Sequence, residues 1–497
     1  MTVLRGVRAA ALAFVALALV GVPWDADRDG AWTVGSRALD CNDGDASIRP
    51  SGIDVPLDGV DQDCDGRDAT RGSNVVLITV DTVRARNLGA YGYSRDTSPN
   101  IDALAASGAT FLQAYSSSSW TVPSLATLLT SAQPAQHRTV LARSSLPETL
   151  PVLPELVKQA GYDTAVFIQS AYPLLTMGFA RGFDLLEKPA VYKTPQILEW
   201  LRDHRDRPFF LWVHYSEPHT PYYPSPRFDR FFVPEGVKDR PDIPGYWKHE
   251  ECRRRYTEDP ETARLRMGFY DARIRESDEK IGMILRQLDA LDLTRKTLVV
   301  LTADHGEEFF EHGGCDHGQT LYDEVLHIPL LIRHPALVPA GVRVPQQVRM
   351  MDIAPTVLDA LELPIPDAFM GRSLLPLARE SERHDRPVLG GFLSNSERAV
   401  VIRHAGFKYV WSPQRSALRQ NDGRHVEELY DLRVDPHERH NLAPAGHPRL
   451  RSFRRKAERW VNHHAKTPPA PQVEFDPAVA ARLRALGYLQ DAPRAAN

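Results

Sequence analysis

The sequence lacks a dominant charge of either sign, and this excludes a large class of functions. Its 497 residues include 60 Lys and Arg against 64 Asp and Glu, a formal net charge of −4. Because a nucleic-acid-binding protein usually carries a basic stripe, we expect no nucleic-acid partner. With 42% hydrophobic residues, the chain is long enough to bury a large core and to form more than one domain.

The apolar run at the N-terminus is too short for a typical membrane-spanning helix. Arg5 and Arg8 precede fourteen uncharged, almost wholly apolar residues, from Ala9 to Val22, whereas a helix needs about 20 residues to cross a bilayer. A basic start followed by a short apolar segment is typical of a signal peptide. We predict that residues 1–22 are a signal peptide or a membrane anchor. The protein is then exported, as a periplasmic, cell-surface or secreted protein; the alternative is a buried helix.

Cysteine is scarce, with four residues in the whole chain. An exported protein can form disulfides. Cys41 and Cys64 lie within one acidic segment, and we predict that they form a disulfide. The spacing of Cys252 and Cys315 leaves both a disulfide and free thiols open.

Acidic charge is concentrated in one short segment. Residues 25–68 contain twelve Asp, four Arg and no Glu, a local net charge of −8. Two loops in this segment, DADRDG and DQDCDG, follow the D-x-D-x-D-G pattern of the front half of a calcium loop. An EF-hand would need Glu at the twelfth position of each loop, where Ser36 and Gly72 stand. The carboxylates that we predict to bind structural calcium are Asp25, Asp27, Asp29, Asp61, Asp63 and Asp65; the alternative is a solvated linker.

Short β-branched apolar runs alternate with helix-like stretches through the rest of the chain. This alternation predicts an α/β fold with a mostly parallel sheet that helices cover on both faces. Ligands bind beyond the carboxyl ends of the strands in such sheets. Asp81, His214, Asp304 and His305 all lie at predicted strand ends, so we place the site there.

An ordered set of segments between residues 74 and 443 resembles the sulfatase family of the alkaline phosphatase superfamily. The resemblance implies an alkaline phosphatase-like central sheet with a small C-terminal antiparallel-sheet subdomain. The acidic segment in turn resembles a Cys/Asp-rich metal-binding module of secreted bacterial proteins. The family-like segments are NVVLITVDTVRARNLGAYGY, AGYDTAVF with GFARGFDLLE, PFFLWVHYSEPHTPYYP, LTADHGEEFFEHGGCDHGQTLYDEVLHIPLLIR, DIAPTVLDALELPIPDAFMGRSLLPL and EELYDLRVDPHERHNLA.

Composition and resemblance together predict the domain boundaries. We expect residues 1–22 to be the signal peptide or anchor, 25–68 the calcium-binding module, 73–375 the catalytic domain, 376–465 the C-terminal subdomain, and 466–497 a Pro-rich linker with a terminal helix.

The resemblance places the nucleophile at Thr121. The family motif is C/S-x-P-S-R, and this chain has Thr at its first position and Leu125 in place of Arg. The family's K-W-H segment is also absent, since FIQSAYP stands there. From these departures we predict an enzyme that does not depend on formylglycine. The alternative role for Thr121 is to cap a helix that begins near Pro123.

The family's metal ligands correspond to Asp81, Asp304 and His305, with Thr121 as the fourth. This chain has Thr82 where the family usually has a second Asp, and His305 where Asn is common. Losing a carboxylate and gaining a nitrogen shifts the preference from Ca²⁺ towards Zn²⁺ or Mn²⁺. The resemblance therefore implies one divalent metal in the active site, with Zn or Mn favoured over Ca. The alternative is that these residues are ordinary strand-end side chains.

Three histidines complete the candidate site. By resemblance, His214, His219 and His317 would donate hydrogen bonds to a tetrahedral anion or protonate the leaving oxygen. Two-zinc relatives carry an acid where His219 stands, so we expect no second catalytic metal. Histidines in hydrogen-bonded loops are the alternative interpretation. Second-rank candidates are Arg84, Glu307 and His312, whereas His327 and His334 are interpreted as structural.

The function that these residues imply is hydrolysis of a sulfate, phosphate or phosphonate ester through a metal-bound Thr121 nucleophile. The substrate would be a small-molecule, glycan or lipid ester. One alternative is a transferase that moves a phospho-headgroup onto envelope glycans or lipids. Such relatives usually have several transmembrane helices, which this sequence does not provide. A non-catalytic calcium-dependent binding protein is the other alternative, and the complete Asp81, Thr121, Asp304 and His305 set argues against it.

Overall fold

The computed structural model describes most of the chain between residues 73 and 464. The described residues are 73–169, 172–187, 194–229, 231–234, 249–379, 382–391, 399–412, 427–464, 469–475, 477 and 479–481, with 33–34, 37–38, 41–42, 45, 48–49, 60–62 and 64 nearer the N-terminus.

The strands are short, and most of them belong to one central sheet. They are β1 Thr33–Val34, β2 Arg37–Ala38, β3 Asn74–Val80, β4 Ala109–Tyr115, β5 Asp163–Ile168, β6 Leu185–Glu187, β7 Phe209–Tyr215, β8 Thr297–Ala303, β9 Glu308–Phe309, β10 Cys315–Asp316, β11 His327–Ile328, β12 Leu330–Arg333, β13 Val342–Arg349, β14 Val388–Gly391, β15 Val400–His404, β16 Phe407–Trp411 and β17 Glu427–Asp431.

The helices range from single turns to one long helix, α8. They are α1 Pro99–Ala106, α2 Thr121–Thr130, α3 Pro134–His137, α4 Leu153–Gln159, α5 Thr194–Asp203, α6 Pro226–Asp229, α7 His249–Glu258, α8 Pro260–Ala290, α9 Asp323–Leu326, α10 Ile353–Ala360, α11 Leu375–Ala378 and α12 Leu450–His464. Short 3-10 helices cover Ala85–Asn87, Gly89–Tyr91, Tyr172–Met177, Thr294–Lys296 and Met350–Asp352.

The described residues form two compact units. The first comprises those among residues 1–72 together with 159–161 and 361–364, and the second comprises the others. In the first unit, β1 and β2 pair antiparallel. The predicted disulfide between Cys41 and Cys64 is present. Residues 1–22 and five of the predicted calcium ligands, Asp25, Asp27, Asp29, Asp63 and Asp65, lie outside the described residues.

The central sheet of the second unit confirms the predicted α/β fold class. In the described part of the chain it has nine strands in the order β11-β4-β12-β8-β3-β7-β5-β6, with β13 paired to β4. Strands β8, β3, β7, β5 and β6 run parallel, whereas β12 is antiparallel to both of its neighbours. Strands β3, β7 and β8 are buried along their whole length. This burial explains their near-continuous apolar sequences, because helices cover both faces of the sheet.

A small antiparallel sheet, β14-β15-β16-β17, forms the C-terminal part. Its side chains alternate between two cores, as the period of a strand requires. Val400 and Ile402 of β15 pack with Phe453 and Trp460 of α12. Val401, between them in the sequence, packs in a separate cluster with Tyr115 of β4. The sheet is therefore buried between α12 and the central sheet.

The Pro-rich segment that we predicted as a linker is partly paired with the body of the chain. Gln472 forms an isolated antiparallel bridge with Ser144, and the Val473 N–H donates to the Arg143 carbonyl at 2.9 Å. Proline favours extended backbone in the residue before it, which suits this pairing. Most of the predicted terminal helix lies outside the described residues.

Within the part of the chain that the structure describes, none of the helices combines the length and the apolar character needed to cross a membrane. A second disulfide joins Cys252 of α7 to Cys315 of β10, which answers the question that their spacing left open.

His137 is a completely buried histidine whose protonation is coupled to folding. Its Nδ1 accepts a hydrogen bond from the Thr139 N–H at 3.0 Å, and its Nε2 lies 3.2 Å from Thr127 Oγ1. Burial lowers the pKa of His137 from 6.5 to about 3. The unfolded chain therefore binds a proton at a higher pH than the folded chain does.

We expect His137 to destabilise the fold as the pH falls from about 6.5 towards 3. Each pH unit in that window costs on the order of 1.4 kcal/mol, so about 2–3 kcal/mol is lost between pH 6.5 and 4.5. The measurement is urea unfolding of the wild type and His137→Gln at pH 7 and at pH 4.5. The free energy of unfolding should fall less with pH in the variant. An equal fall in both proteins would contradict the prediction.

Candidate active site

Three parallel strands end at the same edge of the sheet and place acidic and imidazole side chains side by side. Asp81 and Asp304 each follow the last residue of a strand, and the register of β3 with β8 makes them neighbours. His214, near the end of β7, lies opposite Thr79 of β3. The predicted location of the site, at the carboxyl ends of the strands, is therefore where these side chains meet.

The N–H groups of Thr82 and His305 hold the Asp304 carboxylate, and a tightly packed glycine follows it. Thr82 has a φ of 60°, in the left-handed region that β-branched residues rarely adopt. Its N–H donates to Asp304 Oδ1 at 3.2 Å, and its carbonyl accepts from the Tyr270 hydroxyl at 2.8 Å. Gly306 leaves no room for a side chain, since a Cβ there would lie 2.1 Å from the Glu324 carbonyl oxygen. Asp304 is thus held with Oδ2 free to face Asp81.

Asp81, His214 and Asp304 form a buried cluster of metal-ligand type. One ligand atom from each lies within 4.8 Å of the others, and the three side chains are at most 1% exposed. Asp81 Oδ1, Asp304 Oδ2 and His214 Nε2 have no hydrogen-bond partner among the described residues. Buried polar atoms without partners destabilise a protein, and one cation would satisfy all three. The residues present therefore fit a divalent metal.

His305 joins this cluster to Thr121. Its Nδ1 donates to the Gly306 carbonyl oxygen at 2.9 Å, so Nε2 carries the lone pair. Nε2 lies 3.3 Å from Asp304 Oδ2 and 3.6 Å from Asp81 Oδ1. It also lies 3.2 Å from Thr121 Oγ1. The four residues predicted as metal ligands are therefore adjacent in space.

Thr121 is the first residue of α2 and is fully buried. The alternative interpretation, in which Thr121 caps a helix that begins near Pro123, is wrong, because Trp120 is the residue that precedes the helix. The amides of a first helical turn have no intrahelical acceptors, and they favour an anion at the helix start. The start of α2 therefore favours an anionic group next to the Thr121 hydroxyl.

His317 is held by a buried carboxylate. Its Nδ1 donates to Glu307 Oε1 at 2.9 Å, and the Tyr222 hydroxyl donates to Glu307 Oε2 at 2.9 Å. Burial lowers the pKa of His317, but the charge and hydrogen bond of Glu307 and the charges of Asp81 and Asp316 together outweigh burial and raise the pKa to about 9. His317 is therefore an imidazolium at neutral pH. Its ring centre lies 4.5 Å from that of His305 and 4.8 Å from that of His219.

Burial and neighbouring charge also shift the pKa values of the cluster. Burial raises the pKa of Asp304 well above its ordinary value, and the charge of Asp81 raises it further. Burial also favours the neutral form of Asp81, but the surrounding imidazoles, His219 first, hold its pKa below the ordinary value. The pKa of His305 is well below 6.5 because of burial and the charge of His317. The cluster thus holds a neutral imidazole beside carboxylates that repel each other.

Arg266 of α8 is a site residue that the sequence analysis missed. It is 2% exposed, and its guanidinium lies against the Tyr222 ring, 4.7 Å from the ring centre. Nη2 donates to Asp316 Oδ1 at 3.1 Å and approaches Thr220 Oγ1 at 3.4 Å. Because Asp316 precedes His317 and Thr220 follows His219, Arg266 holds both histidine loops. No sequence signal connects α8 to these loops.

Two of the second-rank candidates, Arg84 and His312, contact glutamates outside the cluster of Asp81, His214 and Asp304. Arg84 Nη2 donates to Glu311 at 2.6 Å. The His312 ring stacks on Tyr322, and its Nδ1 lies 3.2 Å from Glu324 Oε1. Both side chains make contacts within the segment from β8 to α9.

We expect Arg266→Met to lower kcat by about 10–100-fold, because even a small misplacement of catalytic groups is costly. The variant should stay folded, since Asp316 is partly exposed and can be solvated. The matched control is Arg264→Met, which removes an exposed ion pair with Glu261 on the same helix. Steady-state kinetics with circular dichroism tests this prediction. An unchanged kcat would show that Arg266 has no positioning role.

Comparison with protein-family models shows the family of this chain. Residues 73–363, more than half of the chain, match the family model described as "Sulfatase". The chain belongs to the sulfatase family. Residues 310–460 also match the C-terminal model of N-sulphoglucosamine sulphohydrolase. Residues 40–69 match a metal-binding motif of the Cu-binding MopE type, in agreement with the predicted N-terminal module.

Curated sulfatases are similar to this family member over most of its length. Arylsulfatase K of Rattus norvegicus is 25% identical, with 74% of each chain covered. The ulvan-active sulfatase of Formosa agariphila is 27% identical over 78% of this chain and 80% of the relative. The delta 4,5-hexuronate-2-O-sulfatase of Bacteroides thetaiotaomicron is 26% identical over 74% of this chain and 84% of the relative. These relatives support a sulfatase-like hydrolase.

Solved structures share the fold. A structure in complex with its substrate, D-glucosamine-2-N,6-O-disulfate, has a TM-score of 0.66 and 20% identity, with 80% of this chain and 99% of that chain covered. The phosphonate monoester hydrolase of Agrobacterium radiobacter has a TM-score of 0.63 and 23% identity, with 79% and 96% covered. Both confirm the alkaline phosphatase-like architecture.

The prediction that this sulfatase does not depend on formylglycine is contradicted by its relatives. Sulfatases such as arylsulfatase K and the ulvan-active enzyme are typically formylglycine-dependent. The prediction rested on two side chains in one helical turn, Thr121 and Leu125. Family membership rests on a match across 73–363.

Proposed function

We propose that this protein is a divalent-metal-dependent hydrolase of sulfate, phosphate or phosphonate esters, in which the Thr121 hydroxyl attacks the ester. The observation that carries the proposal is the convergence of partnerless buried ligand atoms from Asp81, His214 and Asp304. This cluster adjoins Thr121 through His305, whose Nε2 lies 3.2 Å from the hydroxyl. Most buried polar atoms in proteins have partners, so three partnerless ligand atoms that converge on one point are what a bound cation would satisfy.

Asp81, Asp304, His305 and Thr121 are the residues that would hold the metal. A bound divalent cation would lower the pKa of a neighbouring hydroxyl and offset the negative charge of the ester. Zn²⁺ or Mn²⁺ is favoured, because the set includes an imidazole. Without a cation, burial and the repulsion between Asp81 and Asp304 make the pair of carboxylates costly.

The remaining residues bind and orient the ester. The Thr121 hydroxyl gives its proton to water as its oxygen bonds to sulfur or phosphorus, and the bond to the leaving oxygen breaks as that oxygen takes up a proton. Water then hydrolyses the Thr121 ester, which releases the acid and restores the hydroxyl. His317, protonated through Glu307, donates a hydrogen bond to the ester or a proton to the leaving oxygen. His219 lies beside it, with Nδ1 donating to the Thr220 carbonyl at 2.6 Å. Because Nδ1 carries the hydrogen in that contact, Nε2 of a neutral His219 can accept a proton, whereas the imidazolium form would donate from Nε2 to an ester oxygen.

The relatives favour a glycan as the group that carries the ester, since their names specify ulvan and a hexuronate. We also propose that the protein is exported through residues 1–22 and that the N-terminal module binds structural calcium. The metal-binding motif over residues 40–69 and the disulfide between Cys41 and Cys64 support these two proposals.

The test is an assay of a panel of substrates with the purified protein, in the form in which the cell produces and exports it. Metal-free protein is loaded separately with Zn²⁺, Mn²⁺, Ca²⁺ or Mg²⁺ and assayed with nitrophenyl sulfate, phosphate, phosphodiester and phosphonate esters. We expect turnover of at least one ester, lost on chelation and restored by a single metal. Turnover that survives complete metal removal would refute the metal requirement, and no turnover of any ester with any metal would refute the hydrolase.

A further inference from the structure

We propose that His214 is a nitrogen ligand of the active-site metal and that, together with His305, it makes the site select a first-row transition cation such as Zn²⁺ over Ca²⁺. The inference rests on the metal site of the proposed function and extends it. It assigns to His214 a role different from the anion-binding role that the sequence suggested.

The first observation is the position of the His214 ring. The residue lies at the carboxyl end of β7, is fully buried, and has Nε2 within 4.8 Å of carboxylate oxygens of both Asp81 and Asp304. The distance from Nε2 to Asp81 Oδ2 is 3.8 Å, which is too long for a hydrogen bond. Nε2 has no hydrogen-bond partner among the described residues. These distances leave space for a shared cation between the imidazole and the carboxylates.

The second observation is the hydrogen-bond chain behind the ring. His214 Nδ1 lies 2.8 Å from Thr79 Oγ1. The Thr79 oxygen also accepts from Trp212 Nε1 at 2.9 Å, and its own hydroxyl faces the Val213 carbonyl oxygen at 3.4 Å. When the Thr79 hydroxyl donates its hydrogen bond to that carbonyl oxygen, the Thr79 oxygen accepts a hydrogen bond from His214 Nδ1–H. His214 Nε2 then keeps its lone pair. A metal-binding histidine characteristically has its other nitrogen fixed in this way.

The opposite tautomer does not satisfy the site. If the Thr79 hydroxyl donated to Nδ1, His214 Nε2 would carry a hydrogen, and its nearest carboxylate contact in this cluster would be 3.8 Å long. A buried N–H without a partner destabilises the folded state. The arrangement in which Nε2 binds a cation leaves no such loss.

Ligand chemistry turns this geometry into a metal preference. Calcium takes six to eight oxygen ligands, whereas imidazole nitrogen suits zinc and similar transition metals. His305, which follows β8, supplies one nitrogen ligand. His214 of β7, on the other side of β3, supplies a second. A site with imidazoles at both positions has fewer oxygens than calcium requires.

The experiment measures metal binding directly, using Co²⁺ as the spectroscopic probe. Untagged full-length protein is stripped with a chelator and titrated with Co²⁺, followed by visible absorption, and Zn²⁺ affinity is measured by competition. For the wild type we expect an intense absorption band that excess Ca²⁺ does not remove. For His214→Gln we expect a weaker, shifted band and Zn²⁺ affinity lower by at least about 100-fold. In that variant, Ca²⁺ should displace Co²⁺.

Three further variants make the result specific. Thr79→Val keeps the His214 ring but removes its orienting oxygen, so Zn²⁺ affinity should fall by about 10-fold. His334→Gln is the matched control. That histidine is also buried, but its Nε2 contacts Ser73 Oγ at 2.9 Å, at the other end of β3. Its Co²⁺ spectrum should equal that of the wild type. Asp81→Asn measures Co²⁺ that binds elsewhere, including the acidic module.

An unchanged Co²⁺ spectrum and Zn²⁺ affinity in a folded His214→Gln protein would overturn the inference. Displacement of Co²⁺ by Ca²⁺ from the wild type would also overturn it. Ester turnover, assayed in parallel with each metal, separates this failure from that of the proposed function. If Ca²⁺ supports turnover and His214→Gln binds Co²⁺ and Zn²⁺ as the wild type does, the inference about His214 is wrong but the proposed hydrolase activity stands. Co²⁺ binding through His214 without turnover of any ester would support the inference and remove the hydrolase.

Discussion

Thr121→Ala should retain its fold and lose ester cleavage, with kcat/KM lower by about 10³- to 10⁶-fold. The reason is that the substitution removes the oxygen that we propose attacks the ester, together with its 3.2 Å contact to His305 Nε2, but keeps Asp81, His214, Asp304 and His305. Thr121 lies at the start of α2, where alanine is compatible with the helix. Steady-state kinetics on the most reactive ester of the panel, with thermal unfolding as the check on folding, measures this effect.

Two variants and one mass measurement sharpen this test. Thr121→Ser keeps the hydroxyl and should retain activity within about 10-fold. Thr130→Ala removes a buried hydroxyl at the far end of the same helix, where it donates to the Ala126 carbonyl at 2.7 Å, and should retain wild-type kinetics. Peptide mass mapping after rapid quenching should show a sulfuryl or phosphoryl group on residue 121, and also reads any other modification there. Full activity of Thr121→Ala would place the nucleophile elsewhere.

In Asp304→Asn, we expect added metal to raise the free energy of unfolding much less than in the wild type. We also expect the variant to lose its ester-cleaving activity. In metal-free protein, burial and the charge of Asp81 penalise an ionised Asp304, so a neutral amide should be at least as stable as the wild-type carboxylate. Metal at 100–1,000 times its Kd should stabilise the wild type by about 3–4 kcal/mol and the variant much less. Turnover should fall by about 10³-fold or more, because several kcal/mol of charge stabilisation is lost.

The measurement is thermal unfolding of each protein with a chelator and with saturating metal. Asp278→Asn on α8 is the matched control, since that buried carboxylate accepts hydrogen bonds from Asn100 and from the Ile101 N–H, away from the cluster. Its absolute stability can change, but its metal-induced shift should equal that of the wild type. A wild-type metal-induced shift in Asp304→Asn would show that this carboxylate does not bind the metal.

The sequence predicted those site residues that directly follow a strong local pattern. Asp81 and Asp304 directly follow apolar, β-branched strands, and buried parallel strands have this appearance because both of their faces are covered. Their positions at strand ends were therefore predictable. The assignment of Thr121 came from the family motif, since a hydroxyl at a helix start has no distinctive local signal.

Single residues in a motif were a less reliable guide to chemistry than the whole chain. The absence of Cys or Ser at position 121 and of Arg at position 125 led to a prediction about formylglycine that the relatives contradict. A substitution in a motif changes one contact, whereas the fold and the family are determined by hundreds of packed residues across 73–363.

The sequence by itself determined the α/β class, the strand-end location of the carboxylates and the pairing of Cys41 with Cys64, because these depend on periodicity and on neighbours along the chain. Tertiary structure decided the rest. His214 reaches Asp81 only because β7 pairs with β3 in one register, and Arg266 reaches the two histidine loops only because α8 packs beneath them. Contacts between residues about 50 to 130 positions apart depend on strand order and helix packing, which local sequence patterns do not encode.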